Sequence, residues 1–256
     1  MAKADLIAEL RRTGPHLSIG ILTADLLRMG QEIGLLERVG ARIVHTDVMD
    51  GVFCPMMTVG PPFIKAQKTS LLKDCHLMIT EPERKVDDFV AAGADIITVH
   101  PEGNRYAHRA LQVLGKATNA NDPERGIIRG IALNPGTPLE AIDPVIDEVD
   151  YILLVAINPG WGGQAFTPAI ENRVRQVRER IVASGRDILL GVDGAVTKAN
   201  VAAVAALGPD LIVTGSAIFD GKTPEENARF MIAEAARAAA ASKAGTAEHG
   251  RDDASA

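Results

Sequence analysis

Apolar residues in this chain fall into two alternating kinds of segment. One kind is short and nearly unbroken, as in Leu17–Leu22, Ile128–Leu133 and Tyr151–Ile157. Such runs suit strands covered on both faces. The other kind is longer, with apolar residues recurring every three or four positions, as in Pro168–Ser184 and Pro224–Ala241. That spacing predicts amphipathic helices.

Followed from end to end, the pattern predicts a first helix over Ala4–Arg12 that covers one end of the fold. Eight strands follow: Leu17–Leu22, Arg42–Met49, Asp74–Ile79, Asp95–His100, Ile128–Leu133, Tyr151–Ile157, Ile188–Val192 and Leu211–Thr214. Between them, helices are expected from Thr23 or Asp25 (either can cap) to near Gly40, then over Glu81–Gly93 and from about Tyr106 to Thr118. Further helices are expected from Pro138 to about Glu148, over Pro168–Ser184 and over Thr197–Leu207, with a last one over Pro224–Ala241. Residues 51–62 carry Gly51, Pro55, Gly60, Pro61 and Pro62 and read as a long loop, the kind that is often functional in a compact domain. The polar, small-residue stretch 242–256 reads as a disordered tail.

Strict alternation of strands and helices implies a parallel sheet. With helix-length crossovers throughout, the expected architecture is a single α/β domain over residues 1–241, a (β/α)8 or TIM barrel, which is a fold of about 250 residues. A doubly wound open sheet is the alternative. It is weakened in its dinucleotide-binding form because no Gly-x-Gly-x-x-Gly follows the first strand.

Composition narrows the function classes. Aromatics are only 4% of a chain that is 46% hydrophobic, which suits a core of Val, Ile, Leu and Ala. A net charge of −6 argues against a nucleic-acid surface, and no apolar run approaches the roughly 20 residues that span a bilayer. Cys54 and Cys75 make no disulfide framework. A cytoplasmic protein is expected, with no nucleic-acid or membrane partner.

The unusual residues collect at the ends of strands. In His45-Thr-Asp-Val-Met-Asp-Gly51, His45, Asp47 and Met49 share one strand face by the period of two. His76 and Met78 repeat the pattern on the next strand, and Asp193 closes the seventh. Taken alone, the first heptad also fits a solvated strand face or a core histidine paired to an aspartate. In a barrel, however, strand ends converge on one face. Two His and two Asp meeting there can ligate a divalent cation such as Zn²⁺, Fe²⁺ or Mn²⁺. Gly160, Gly162 and Gly163 after strand six, with Gly215-Ser216 after strand eight, suit a phosphate site in which backbone N–H groups approach the anion.

From about Leu17 to Ile218 the chain resembles the ribulose-phosphate 3-epimerase family. The resemblance rests on Ile21-Leu-Thr-Ala-Asp25, His45-Thr-Asp-Val-Met-Asp-Gly51, Cys75-His-Leu-Met78, Ala132-Leu-Asn-Pro135, Asn158-Pro-Gly-Trp-Gly-Gly-Gln164, Val192-Asp-Gly194 and Gly215-Ser-Ala-Ile-Phe219. It implies a metal-dependent barrel that inverts the carbon next to a ketose carbonyl, by default interconverting D-ribulose 5-phosphate and D-xylulose 5-phosphate. It implies that His45, Asp47, His76 and Asp193 hold one divalent ion (Zn²⁺, Fe²⁺, Mn²⁺ or Co²⁺), and that Asp47 and Asp193 are also the acid/base pair. Met49 and Met78 would shield an enediolate, and Gly20, Gly160, Gly162, Gly163, Gly194, Gly215 and Ser216 would line the sugar-phosphate site. A homo-oligomer is expected.

The chain also departs from the family pattern. Gly20 stands where members commonly have a substrate-contacting Ser, Met56 where Asn is usual, and Val52 where His follows Asp-Gly. Val155 replaces a third Met, and Gly194-Ala195 replaces Gly-Gly. These changes spare the metal and acid/base set and touch the substrate wall, so an epimerase for another tetrulose, pentulose or hexulose phosphate is the alternative. A Schiff-base aldolase would need a strand-end Lys, whereas Lys65, Lys68 and Lys73 read as loop or helix-like positions. A non-catalytic sugar-phosphate-binding barrel is the remaining reading, and the paired aspartates argue against it.

Overall fold

The computed structural model describes residues 1–252, with side chains through residue 244. Eight parallel strands close in sequence order: β1 (His16–Gly20), β2 (Ile43–Met49), β3 (Leu72–Met78), β4 (Ile96–Val99), β5 (Ile128–Leu133), β6 (Tyr151–Val155), β7 (Leu189–Asp193) and β8 (Leu211–Thr214). β8 pairs with β1 through Leu17↔Ile212 and Ser18↔Val213, which closes the barrel. The eight-stranded barrel expected from the alternation of elements is therefore the fold. No helix among the described residues is long and apolar enough to cross a membrane.

Alternation along each strand builds two cores. Outward side chains such as Val44, Val48, Cys75 and Leu77 join the helices in a mantle around the sheet. Inward ones such as Ile43, Leu72, Ile96, Ile128, Leu189 and Leu211 fill the barrel. Helix α1 (Lys3–Thr13) adds Leu6, Ile7 and Leu10 to this inner core. Complete burial of each such side chain contributes roughly 1.5–3 kcal/mol. The N-terminal end of the barrel is thereby stoppered. Beside α1, Asp150 takes an ion pair from Lys3 at 2.8 Å and one from the Arg129 Nε at 2.9 Å, while Arg129 also reaches Glu148 at 2.7 Å.

Helices α2 (Met29–Arg38), α4 (Val86–Ala91), α5 (Ala107–Lys116), α6 (Ile170–Ser184), α7 (Val201–Ala206) and α8 (Pro224–Asp252) cover the sheet. Several are shorter than their apolar periodicity predicts. The helix expected from Thr23 or Asp25 begins as 3₁₀ turns over Ile21–Thr23 and Leu26–Arg28, and the Asp25 side chain accepts from the Leu27 N–H at 3.0 Å. The segment before β6 is 3₁₀ throughout, over Leu139–Ala141 and Asp143–Glu148, with Pro144 in the first turn of the second. A proline cannot supply the N–H that a continuing α-helix needs. The expected loop 51–62 yields its last residues to α3 (Pro61–Ala66), whose paired prolines sit where no N–H partner is required. Helix α8 continues past Ala241 to Asp252. Of the tail expected to be disordered, residues 253–256 lie outside the described residues.

Candidate active site

The strand register brings the polar strand ends together. Asp47 on β2 lies beside His76 on β3, and Gly20 on β1 beside His45. Parity points His45, Asp47 and His76 into the barrel mouth. Asp193, the last residue of β7, completes the group. One ligand atom from each of the four lies within 4.8 Å of every other. The His45 Nε2 is 3.1 Å and the His76 Nδ1 3.2 Å from the same Asp47 oxygen, and His76 Nδ1 is 3.5 Å from Asp193.

The imidazoles are fully buried, whereas both aspartates reach a cavity of about 200 Å³ at the mouth. Burial alone would depress the histidines, but Asp74 and Asp47 outweigh it at His45 and hold that imidazole well above its ordinary value. At His76 burial is likewise overcome, here by Asp193 and Asp47, and the value is pushed up to about 9. Burial would raise the Asp47 carboxyl, yet His45 and His76 hold it far below the usual carboxylate range. The cluster thus collects positive charge in the form of protons. Two imidazoles and two carboxylates competing for that charge are a donor set that fits a divalent cation.

Two further layers hold these groups, and neither was singled out from the sequence. Behind His45, Asp74 approaches Nδ1 at 2.8 Å and accepts the Ser18 hydroxyl at 2.8 Å, with all three residues buried. A carboxylate on the far nitrogen of a ligating histidine fixes its orientation. Behind His76, the His100 Nε2 lies 2.8 Å from the His76 Nε2, and the rings stack with centroids 5.0 Å apart. Glu102 in turn lies 3.1 Å from the His100 Nδ1. Burial opposes ionisation of Glu102, but His100, Thr137 and the Asn134 N–H hold it at about 2. Parity is the signal for Asp74, which falls two residues before His76 on the same face. Position at a strand end is the signal for His100.

Gly20, Gly194, Gly215 and Ser216 line the same cavity as Asp47 and Asp193. Gly194 has φ +100, and a Cβ there would stand 2.6 Å from the Ile157 Cγ1, so a side chain is excluded twice over. Met49 ends β2 and the buried Met78 ends β3 on the inward parity. Gly160, Gly162 and Gly163 are not among the cavity's lining. Their loop is pinned by the Gln164 amide, which donates to the carbonyls of Asn158 and Trp161, both at 2.7 Å. Gly160 serves packing: a Cβ would meet Cys54 and Pro55 at 2.8 and 2.9 Å. Both Cys54 and Cys75 are free thiols. Lys73, expected outside a strand, is the second residue of β3, and its ammonium donates to the Ile64 carbonyl at 3.2 Å, at the end of the strand opposite the site.

The model of the ribulose-phosphate 3 epimerase family matches residues 16–219. The chain belongs to that family. Its relatives include the ribulose-phosphate 3-epimerase of Escherichia coli (strain K12), 44% identical over 203 residues that cover 78% of this chain and 87% of that protein. The ribulose-phosphate 3-epimerase of Bacillus subtilis (strain 168) is 40% identical over 202 residues, covering 78% and 89%. Members of this family are isomerases that epimerise carbohydrates. Among solved structures, KGPDC from Streptococcus mutans matches with a TM-score of 0.63 at 14% identity, covering 87% of this chain and 98% of that one. Mycobacterium tuberculosis tryptophan synthase matches at 0.64 and 18%, covering 93% and 98%. At such identities the likeness is one of fold.

Proposed function

We propose that this chain is a metal-dependent ketose-phosphate 3-epimerase that interconverts D-ribulose 5-phosphate and D-xylulose 5-phosphate. The observation that carries the reading is the convergence of His45, Asp47, His76 and Asp193 at one cavity in a chain of this family. The four residues would hold one divalent ion, which supplies Lewis-acid stabilisation of the negative charge that develops on the sugar. Inversion at C3 removes a proton from one face and returns one to the other, so it needs two groups. Asp47 and Asp193 enter the cavity from β2 and β7 and take these roles, one as base and the other as acid, exchanged in the reverse direction. Met49 and Met78, at the inward-facing ends of β2 and β3 though outside the cavity's lining, would shield the enediolate with apolar, polarizable surface. Backbone amides at Gly194, Gly215 and Ser216 anchor the phosphate, so that binding energy positions C3.

Assay in D₂O with ribulose 5-phosphate and added Zn²⁺, Fe²⁺, Mn²⁺ or Co²⁺ tests the reading. Xylulose 5-phosphate carrying solvent deuterium at C3 is the expected product. Absence of both epimerisation and C3 exchange with every metal sinks it.

A second reading concerns the substrate alone. Gly20 lines the cavity and offers the sugar no hydroxyl. A ketose phosphate of different length or hydroxyl pattern fits that wall as well.

A further inference from the structure

The contact between His76 and His100 joins two ring nitrogens, Nε2 to Nε2, at 2.8 Å. At that separation one nitrogen donates and the other accepts. Which does which is decided further out. Glu102 offers His100 a carboxylate oxygen, which only accepts, so the His100 Nδ1 carries hydrogen. A neutral His100 then has a bare Nε2, which accepts from the His76 Nε2–H. When His76 gives up its second proton, the one lost is therefore on Nδ1, which leaves a lone pair on the atom that faces Asp47 and Asp193 at 3.2 and 3.5 Å.

Glu102 has no freedom to reverse this order. Its other oxygen takes the Asn134 backbone N–H at 2.8 Å and the Thr137 hydroxyl. The loop carrying those two donors is clamped by Arg173, whose guanidinium donates to the Thr137 carbonyl at 2.9 Å and the Asn134 carbonyl at 3.2 Å. The Phe53 ring packs against His100, with centroids 4.8 Å apart and planes tilted by 44°.

We propose that His100 and Glu102 are positioning residues that set the tautomer of His76, through a relay running from the Asn134–Thr137 loop to the cation site. This rests on the reading of His76 as a metal ligand given above. It assigns the pair that follows β4 a task in metal capture, with no contact to substrate.

The discriminating variant is Glu102→Gln, which keeps size and shape. The Asn134 N–H must face the new amide oxygen, which turns the amide NH₂ toward the His100 Nδ1. That nitrogen must then accept, and its hydrogen moves to Nε2. The His76 Nε2 must accept in turn, and hydrogen occupies the His76 Nδ1. His100→Gln does the reverse: its oxygen accepts from His76 and its NH₂ donates to Glu102, so the order is kept. Zn²⁺ affinity, measured by competition with a chromophoric chelator, should fall about 10–100-fold in Glu102→Gln, the usual range for loss of an outer partner. His100→Gln should stay close to wild type, and His100→Leu should fall with Glu102→Gln. Nitrogen NMR of the zinc-loaded wild type gives a readout independent of any variant's folding. It should show hydrogen on the His76 Nε2 and the His100 Nδ1. The opposite tautomers, or unchanged Zn²⁺ affinity in Glu102→Gln beside loss in His76→Ala, overturn the relay and leave the metal site standing. Failure of the wild type to bind Zn²⁺, or retention by His76→Ala, overturns the metal site and the relay together.

Discussion

His45 and Asp74 face each other from neighbouring strands, with Nδ1 and Oδ2 2.8 Å apart and no solvent reaching either side chain. In the metal-free protein the imidazole is held protonated by Asp74 and Asp47 against its burial. Asp74→Ala leaves that charge without its buried partner, a loss of about 3–5 kcal/mol. Urea unfolding of the metal-free variant checks this, and a change below about 1 kcal/mol would mean that Asp47 and Ser18 suffice.

In the proposed reaction, proton transfer at C3 depends on both carboxylates. Asp193→Asn should lower the rate of epimerisation at least about 100-fold, the low end of what a positioned acid or base contributes. Exchange of the C3 hydrogen with D₂O can persist on the face served by Asp47. Epimerisation by Asp193→Asn at near the wild-type rate would take Asp193 out of the chemistry.

Metal uptake should release protons. His76 is pushed up to about 9 by Asp193 and Asp47, so below that pH a cation displaces hydrogen from it. Apparent affinity therefore rises with pH up to about 9 and weakens as pH falls. Titration with Zn²⁺ in weakly buffered solution should show the proton release directly, and His76→Ala should lose both metal and the release. A pH-independent affinity between 6 and 9 contradicts the assignment.

At the other end of the barrel, Arg129 and Lys3 outweigh burial and hold the Asp150 carboxyl below its usual range. A depressed carboxyl contributes stability above about pH 4, the unfolded value, and loses it as pH falls through the folded one. Asp150→Asn should thus destabilise by about 3 kcal/mol at pH 7. The difference from wild type should narrow below pH 4. Denaturant curves at pH 7 and pH 3 test both halves, and an equal difference at the two would discard the ionic account.

The substrate wall can be probed at Gly20. A Cβ there would meet the Gly215 Cα at 3.4 Å, an ordinary contact, so Gly20→Ser should fold. A restored hydroxyl bond of about 1–1.5 kcal/mol would raise kcat/KM for ribulose 5-phosphate about 5- to 13-fold. Met56, half exposed and outside the cavity lining, should be neutral as Met56→Asn. Equal kcat/KM in wild type and Gly20→Ser would show that the lost hydroxyl has no role in selecting the sugar.

The barrel was legible because parallel strands and their crossovers each write a period into the chain. His45, Asp47 and His76 were legible by parity, and Asp193 by its place at a strand end. Asp74 obeys the same parity but sits at the expected start of its strand, where a carboxylate reads as a boundary. The pairing of His100 with His76 joins two strand ends through space, and no spacing along either strand encodes it. Gly160, Gly162 and Gly163 mark a loop whose course is set by the Gln164 amide and by Cys54, partners that composition does not announce. The 3₁₀ turns before β6 kept apolar spacing while Pro144 removed the bond an α-helix needs there.

The four candidate ligand residues come from two separate arcs of the sheet. His45, Asp47 and His76 are adjacent on β2 and β3, whereas Asp193 reaches them from β7. During synthesis the first three donors emerge together, and the fourth only after β4, β5 and β6. A chain stopped after β6 has an incomplete ring and a three-donor half-site open toward the missing strand. The fourth donor arrives with β7, one strand before β8 pairs with β1 and closes the circle. A cation held by all four residues would tie β7 to β2 and β3 across the β8–β1 seam, and so resist opening of the ring where it closes last.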